Sequence, residues 1–297
     1  MNSQARVIDT HVHLFEQQDL ARIHRRAPYN LPAPFTLQSY LDQLLARGIT
    51  QGLINNVHLS ILPDSENVFT AFEQLDALKR LAPESYRGFD LIGTLVADPG
   101  YATAERLAHP QVKGVRIVLH DRPLSRVSDD AYLTPDFLEL WKRLRDDQHV
   151  HLYAQHPGVN LAVLRQLPVH LNLVIDHLGT CKPHEVDDFT ALLQAAAERG
   201  RVWFKGPGYR TANDVSEVVP FADAIVAALG PDALILGASD APHVGEDAQG
   251  LAYQALFDPV SAYQFSMDLG TRLSSEFTQT LDEGRFLQLL NPKTRKS

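Results

Sequence analysis

The chain is predicted to fold as an α/β protein of the (β/α)8 TIM-barrel class. Three observations carry that prediction: short β-rich runs alternate with longer helical patterns, the alternation occurs eight times, and polar residues recur at the C-terminal ends of the β runs. An open doubly wound sheet also alternates strand and helix, yet it gives no reason for polar residues at so many strand ends.

The first run, "VIDTHVHLF" (7–15), holds two histidines one residue apart. Successive strand side chains point to opposite faces, so Asp9, His11 and His13 are expected on one face and Ile8, Thr10 and Val12 on the other. Strands are expected over 6–13, 52–58, 88–96, 112–120, 149–156, 171–177, 201–206 and 233–240. Helical patterns lie between them, with Thr36, Asp64 and Thr134 as N-cap candidates, Pro135 at a first helical position, and Gly48, Gly200 and Gly230 as stops. A further helical region follows Asp247. The stretch from Glu16 to Pro34 reads as a long first βα loop, the kind of segment that forms a lid or a substrate wall at a barrel's C-terminal face.

At 297 residues, 44% hydrophobic and 21% charged, the chain has material for a large core, and one domain spanning 1–297 is the expectation. The net charge of −9, with no basic run longer than a pair outside the tail "KTRK", argues against a nucleic-acid or anionic-membrane partner. A small anionic substrate would instead be caught by a few local arginines. The single cysteine, Cys181, excludes an internal disulfide and fits a reducing compartment. With the first strand starting near Arg6 and no apolar stretch of transmembrane length, a cytoplasmic location is expected.

A barrel builds its active site from the C-terminal strand ends. Those ends carry His11 and His13, then Asn55 to His58, Arg116 and His120, and Tyr153, Gln155 and His156. His177 follows in "DHLG", then "KGPGYR" with Arg210, and Asp240 in "SDAPH". By alternation, Leu171, Leu173, Ile175 and His177 share a face, as do Leu234, Leu236, Ala238 and Asp240; both are read as inward stripes ending in a titratable group. His109, His149, His170 and His184 are read as structural, Cys181 as a non-nucleophile, and Gly206 to Gly208 as a turn, since their spacing matches no phosphate loop.

The HxH pair, His177 in "VIDHLG" and Asp240 in "GASDAPH" together resemble the amidohydrolase superfamily, over nearly the whole chain. Most members bind one or two divalent metals through the HxH pair, histidines on strands 5 and 6, and the strand 8 aspartate. Here strand 5 ends in "HLYAQH", with Tyr153 where metal-binding members show a ligand. That departure, with "GVRIVLHDRPLS", "PGYR" and "DAPH", resembles the metal-independent branch of 2-pyrone-4,6-dicarboxylate hydrolases. Two segments depart from that branch: Ala241 stands where an aromatic commonly precedes the proline, and "NNVHLSILPDSEN" matches poorly.

The resemblance implies an amidohydrolase-like barrel, regular or distorted, that opens a carboxylated lactone. Asp240 would be the general base, and His11, His13 and His177 would polarise the carbonyl and meet the oxyanion. Arg116, Arg122 and Arg210 would bind substrate carboxylates, with Tyr153 and His58 hydrogen-bonding nearby. No cofactor is the leading expectation. The alternatives are a Zn or Mn ion on His11, His13, His177 and Asp240, a metal-dependent decarboxylase of the same superfamily, and a non-enzymatic binding barrel. Association into a homo-oligomer is an expectation by analogy alone.

Overall fold

The computed structural model of the chain describes residues 5–23, 33–119, 127–128, 130–242, 259–273, 286–287 and 289–290. Its strands are β1 (Ala5–Val12), β2 (Ile49–Val57), β3 (Phe89–Val96), β4 (Val112–Leu119), β5 (His149–Ala154), β6 (Asn172–Ile175), β7 (Val202–Lys205) and β8 (Leu234–Ile235). All pair in parallel and in sequence order. A doubly wound sheet reverses its strand order at a switch point, so that alternative is excluded. Backbone bonds from Thr10 to Gly237 (2.8 Å), Asp240 to His11 (2.7 Å) and His13 to Ala241 (2.8 Å) tie the segment after β8 back onto β1.

Each strand is followed by a main helix: α1 (Leu37–Leu45), α2 (Glu66–Leu81), α3 (Ala104–Ala108), α4 (Pro135–Arg143), α5 (Pro157–Leu164), α6 (Val186–Arg199), α7 (Val215–Leu229) and α8 (Pro259–Arg272); short helical turns at Gln17–Leu20, inside the first loop, and Pro83–Tyr86 add to them. The Thr36 hydroxyl accepts from Ser39 N at 3.1 Å and starts α1, as its position before the apolar repeat suggests. α2 is capped one residue later than expected, at Ser65; Asp64 instead accepts from Glu66 N at 3.1 Å. Gly200 and Gly230 end α6 and α7 with φ of 67° and 85°, where a side chain would be strained. Residues 24–32 of the long first loop, and the start of the C-terminal region after Asp247, lie outside the described residues.

Two apolar layers sandwich the sheet. Ile8, Leu53, Ile92, Val174 and Ile235 pack inside with Phe286 and Leu289, while Val7, Leu173, Ile175, Phe204, Leu234 and Leu236 pack outward in the helix-facing core. This corrects two expected stripes. On β6 the inward residue is Val174, and on β8 it is Ile235; the leucine stripes ending at His177 and Asp240 face the helices. Parallel strands covered on both faces are apolar on both, so alternation alone does not tell inside from outside.

Phe286 is fully buried among the inward side chains. Phe286→Ala is expected to lower unfolding stability by about 3–5 kcal/mol, read by urea denaturation. A loss below about 1 kcal/mol would show that this residue does not complete the inner core.

Candidate functional site

Three chain irregularities bring the site together. On β1, Ile8 points inward and Asp9 outward, where Asp9 accepts from the α1 residue Tyr40 (2.6 Å) and from Ser239 N (2.9 Å). Strict alternation from Ile8 would turn His11 outward as well. A register shift between Asp9 and Val12 changes the phase, and His11 and His13 both reach the interior. The expectation that Asp9 shares their face is therefore corrected.

After β6, His177 takes φ 53° and ψ 39°; after β8, Asp240 takes φ 54°. Both are left-handed conformations that non-glycine residues seldom adopt. Each turns a side chain that follows an outward-facing run toward the barrel axis. Nearby, an added Cβ at Gly208 would come within 2.6 Å of Val218 Cγ1, so close packing against α7 accounts for that glycine.

His11 Nε2 lies 3.2 Å from His13 Nε2 and 3.4 Å from Asp240 Oδ1, and His13 Nε2 lies 3.3 Å from the same oxygen. His13 Nδ1 stands 3.1 Å from the carbonyl of Val57, which can only accept, so Nδ1 carries the proton and a neutral His13 offers a lone pair at Nε2. His11 then donates from Nε2 into the triangle. Arg210 pairs with the other oxygen of Asp240. The His177 ring lies 5.1 Å from that of His11 and 4.8 Å, edge to face, from Tyr153.

Burial pushes all three histidines below the ordinary imidazole value. His177 falls to about 3; His11, depressed further by Lys205 and Arg116, lies well below its usual range. For Asp240, burial is the largest single influence and opposes ionisation. The positive charge of Arg210 against it outweighs that penalty, and the carboxyl lies well below its ordinary value. Near neutral pH the site is thus an ionised carboxylate among neutral imidazoles.

Beneath this triangle sits a charged layer that the sequence reading missed. Asp176 Oδ2 accepts from Arg116 Nε at 3.0 Å, and Asp176 Oδ1 lies 3.1 Å from Lys205 Nζ. Asp176 and Lys205 are fully buried, and His151 Nδ1 is 3.4 Å from the ammonium. The register links Arg116 to His151, His151 to Val174, and Val174 to Trp203, so all four face inward, and Asp176 and Lys205 follow two residues on. That signal was available once Val174, rather than Leu173, marked the inner face.

Arg116 also donates from Nη1 to the carbonyl of His58 at 2.9 Å, so two of its donors serve the barrel. Arg116 and His58 line a pocket of about 220 Å³ with Ser60, Val96, Asp98 and Val118. The His58 Nδ1 pairs with Ser65 Oγ at 3.1 Å. Tyr153 is buried with its ring 5.8 Å from the Arg116 guanidinium carbon. Arg122 and His120 lie outside the described residues. Burial pushes the Cys181 thiol up to about 12, which leaves it without nucleophilic thiolate.

Two sets of ligand atoms converge closely enough for a metal ion: His11, His13 and Asp240, and His11, Asp176 and His177. The first triangle has edges of 3.2 to 3.4 Å. A tetrahedral zinc with bonds of about 2.0–2.1 Å needs ligand separations of about 3.3 Å, so this set fits one divalent ion. The second set does not fit, because Arg116 and Lys205 already flank its carboxylate.

A parallel barrel that gathers a carboxylate and three imidazoles at its C-terminal strand ends holds a candidate general base beside polar groups. The chain belongs to the amidohydrolase family, whose profile matches residues 8–271, and it is a hydrolase of that superfamily. No curated protein matches it. Among solved structures it is similar to a candidate 2-pyrone-4,6-dicarboxylic acid hydrolase from Acinetobacter baumannii with citric acid bound (23% identity, TM-score 0.65, covering 96% of this chain and 95% of that one). It is also similar to a candidate hydrolase of the same name from Pseudomonas putida (24%, 0.65, 97% and 98%) and to an Agrobacterium tumefaciens protein solved without ligand (18%, 0.57, 96% and 93%). Among the described residues no helix is long and apolar enough to cross a membrane.

The buried histidines make stability acid-sensitive. His149 stacks on His151 with ring centroids 4.4 Å apart, and burial with the Lys205 charge brings it down to about 3 from 6.5. Between those values the unfolded chain binds the proton and the folded chain does not, so stability falls as pH drops through that window. His149→Gln is expected to make the fall in Tm from about pH 6.5 to about pH 4 shallower than in the wild type. An unchanged slope would contradict the assignment.

Proposed function

We propose that the protein hydrolyses a carboxylated lactone, of the 2-pyrone-4,6-dicarboxylate or sugar-acid lactone type, with Asp240 as general base. The observation that carries this reading is the pairing of an ionised Asp240 with His11 and His13 on one oxygen and Arg210 on the other. Arg116, Lys205 and Arg210 against Asp176 and Asp240 leave one net positive charge in the site. An anionic substrate is attracted there despite a net charge of −9 on the whole chain. Arg210 and Arg116 would bind its carboxylates, since the guanidinium fork matches a carboxylate's two oxygens. Arg122 and His58 belong to the same proposal.

Water held against Asp240 loses one proton to the carboxylate as its oxygen bonds to the ring carbonyl carbon. Negative charge moves to the carbonyl oxygen, where the neutral imidazole N–H groups of His11 and His177 donate to it. Collapse breaks the ring C–O bond, and the departing oxygen takes the proton from Asp240. One water is consumed, and the ring opens to an acid and a hydroxyl or enol. Tyr153, against the His177 ring, holds that imidazole's orientation.

These steps run without a metal. The fit of His11, His13 and Asp240 to a tetrahedral ion favours a second reading, in which Zn²⁺ or Mn²⁺ is held by those three residues. When bound, such an ion supplies Lewis-acid polarisation and a more acidic water.

Elemental analysis of the purified protein, with hydrolysis of 2-pyrone-4,6-dicarboxylate followed before and after chelation, separates the two. Persistent hydrolysis in metal-poor protein is the expected result; activity lost together with one stoichiometric metal would select the second reading. Asp240→Asn should lower kcat by about 10²–10⁴-fold in either case. Near wild-type turnover in that variant would remove Asp240 from the reaction.

A further inference from the structure

Lys205 is the last residue of β7, is fully buried, and sends its hydrogen bonds and ion pair to none of the residues assigned to substrate. We propose that it is a positioning residue, which sets where the His11 and His177 imidazoles stand in the barrel mouth. Its ammonium hydrogen-bonds two acceptors and pairs by charge with a third. These are the carbonyl of Thr10 at 3.1 Å, Asp176 Oδ1 at 3.1 Å and His151 Nδ1 at 3.4 Å.

Two of those acceptors immediately precede the two histidines. Thr10 lies in the register shift that turns His11 inward, and it has no partner in the β1–β2 register. Its carbonyl is instead held by Lys205 and by Asn55 Nδ2 at 3.2 Å. Asp176 begins the turn in which His177 adopts φ 53°. Neither a bulge nor a left-handed residue persists unless its surroundings hold it. One ammonium, fixed at the end of a strand, ties both irregularities together. It also meets the Asp176 charge, which would otherwise face water-free surroundings with Arg116 alone.

A group that positions the reacting imidazoles without touching substrate acts on kcat far more than on KM. The test compares wild type with Lys205→Met, which keeps the length of the side chain and removes its donors, using steady-state kinetics on 2-pyrone-4,6-dicarboxylate and crystal structures of both proteins. The double variant Asp176→Asn/Lys205→Met removes the buried carboxylate that would be left with Arg116 alone, and serves in place of the single one should that one fail to fold.

The expected result is a folded variant in which the His11 and His177 rings move by about 1 Å, with kcat down by about 100-fold. KM should stay within about threefold of wild type. Unmoved rings overturn the proposal, whatever the rate; so does a rise in KM with kcat preserved. The kinetic arm rests on the lactonase reading. If the wild type opens no carboxylated lactone, that reading fails alone, and the ring positions by themselves decide the role of Lys205.

Discussion

A sheet curled into a barrel leaves its inner layer without water, so a charge placed there has to be met by another charge or by hydrogen bonds. The rest of this site depends on how Asp176 meets that requirement. It accepts from Arg116 on one side and faces Lys205 on the other, and both cations reach further, Arg116 to the carbonyl of His58 and Lys205 to that of Thr10. The layer therefore links β1, the β2 exit, β4, β6 and β7. Below it lies the apolar plug of Ile8, Leu53, Ile92, Val174, Ile235 and Phe286; above it stand the histidines and Asp240.

The same layer governs the protonation of what stands above. Arg116 and Lys205 add to burial in keeping His11 neutral, and Arg210 keeps Asp240 ionised. Lys205 itself is drawn down to about 8 by burial, with Asp176 opposing the fall, so the ammonium remains largely charged near neutral pH. An ionised base beside neutral donors is the combination that attack by water on an ester carbonyl requires. It arises from burial together with the charges around the site rather than from any property of the imidazoles alone.

The barrel was legible because its signal is redundant: eight alternations of strand and helix survive errors at single strands. His11, His13, His177 and Asp240 were located at the strand ends from residue type alone, and the structure brings all four together. The reasoning about faces failed on three strands. β6 and β8 are apolar on both sides, so alternation does not separate their leucine stripes, which pack on helices, from the inner face. On β1 a register shift breaks the alternation between Asp9 and His11. Such irregularities follow from contacts between strands far apart in sequence, and no local pattern encodes them. Asp176 and Lys205 were missed for the same reason, since finding them required Val174 and Trp203 as the inward markers.

The triangle of His11, His13 and Asp240 can be filled in two ways. Its three facing atoms are two imidazole nitrogens and a carboxylate oxygen, all within 3.4 Å of one another. Three lone pairs cannot share that space; something positive has to lie between them. With His13 protonated at Nδ1 by its contact with Val57, the smallest solution is the single Nε2 proton of His11. A divalent ion of tetrahedral size is the other solution, and it would displace that proton. Arg210 on Asp240, with Arg116 and Lys205 beneath, already supplies positive charge, which weighs against an added dication and leaves the proton of a neutral imidazole undisturbed. Which of the two solutions holds therefore depends on the cations packed around the triangle as well as on its three facing atoms.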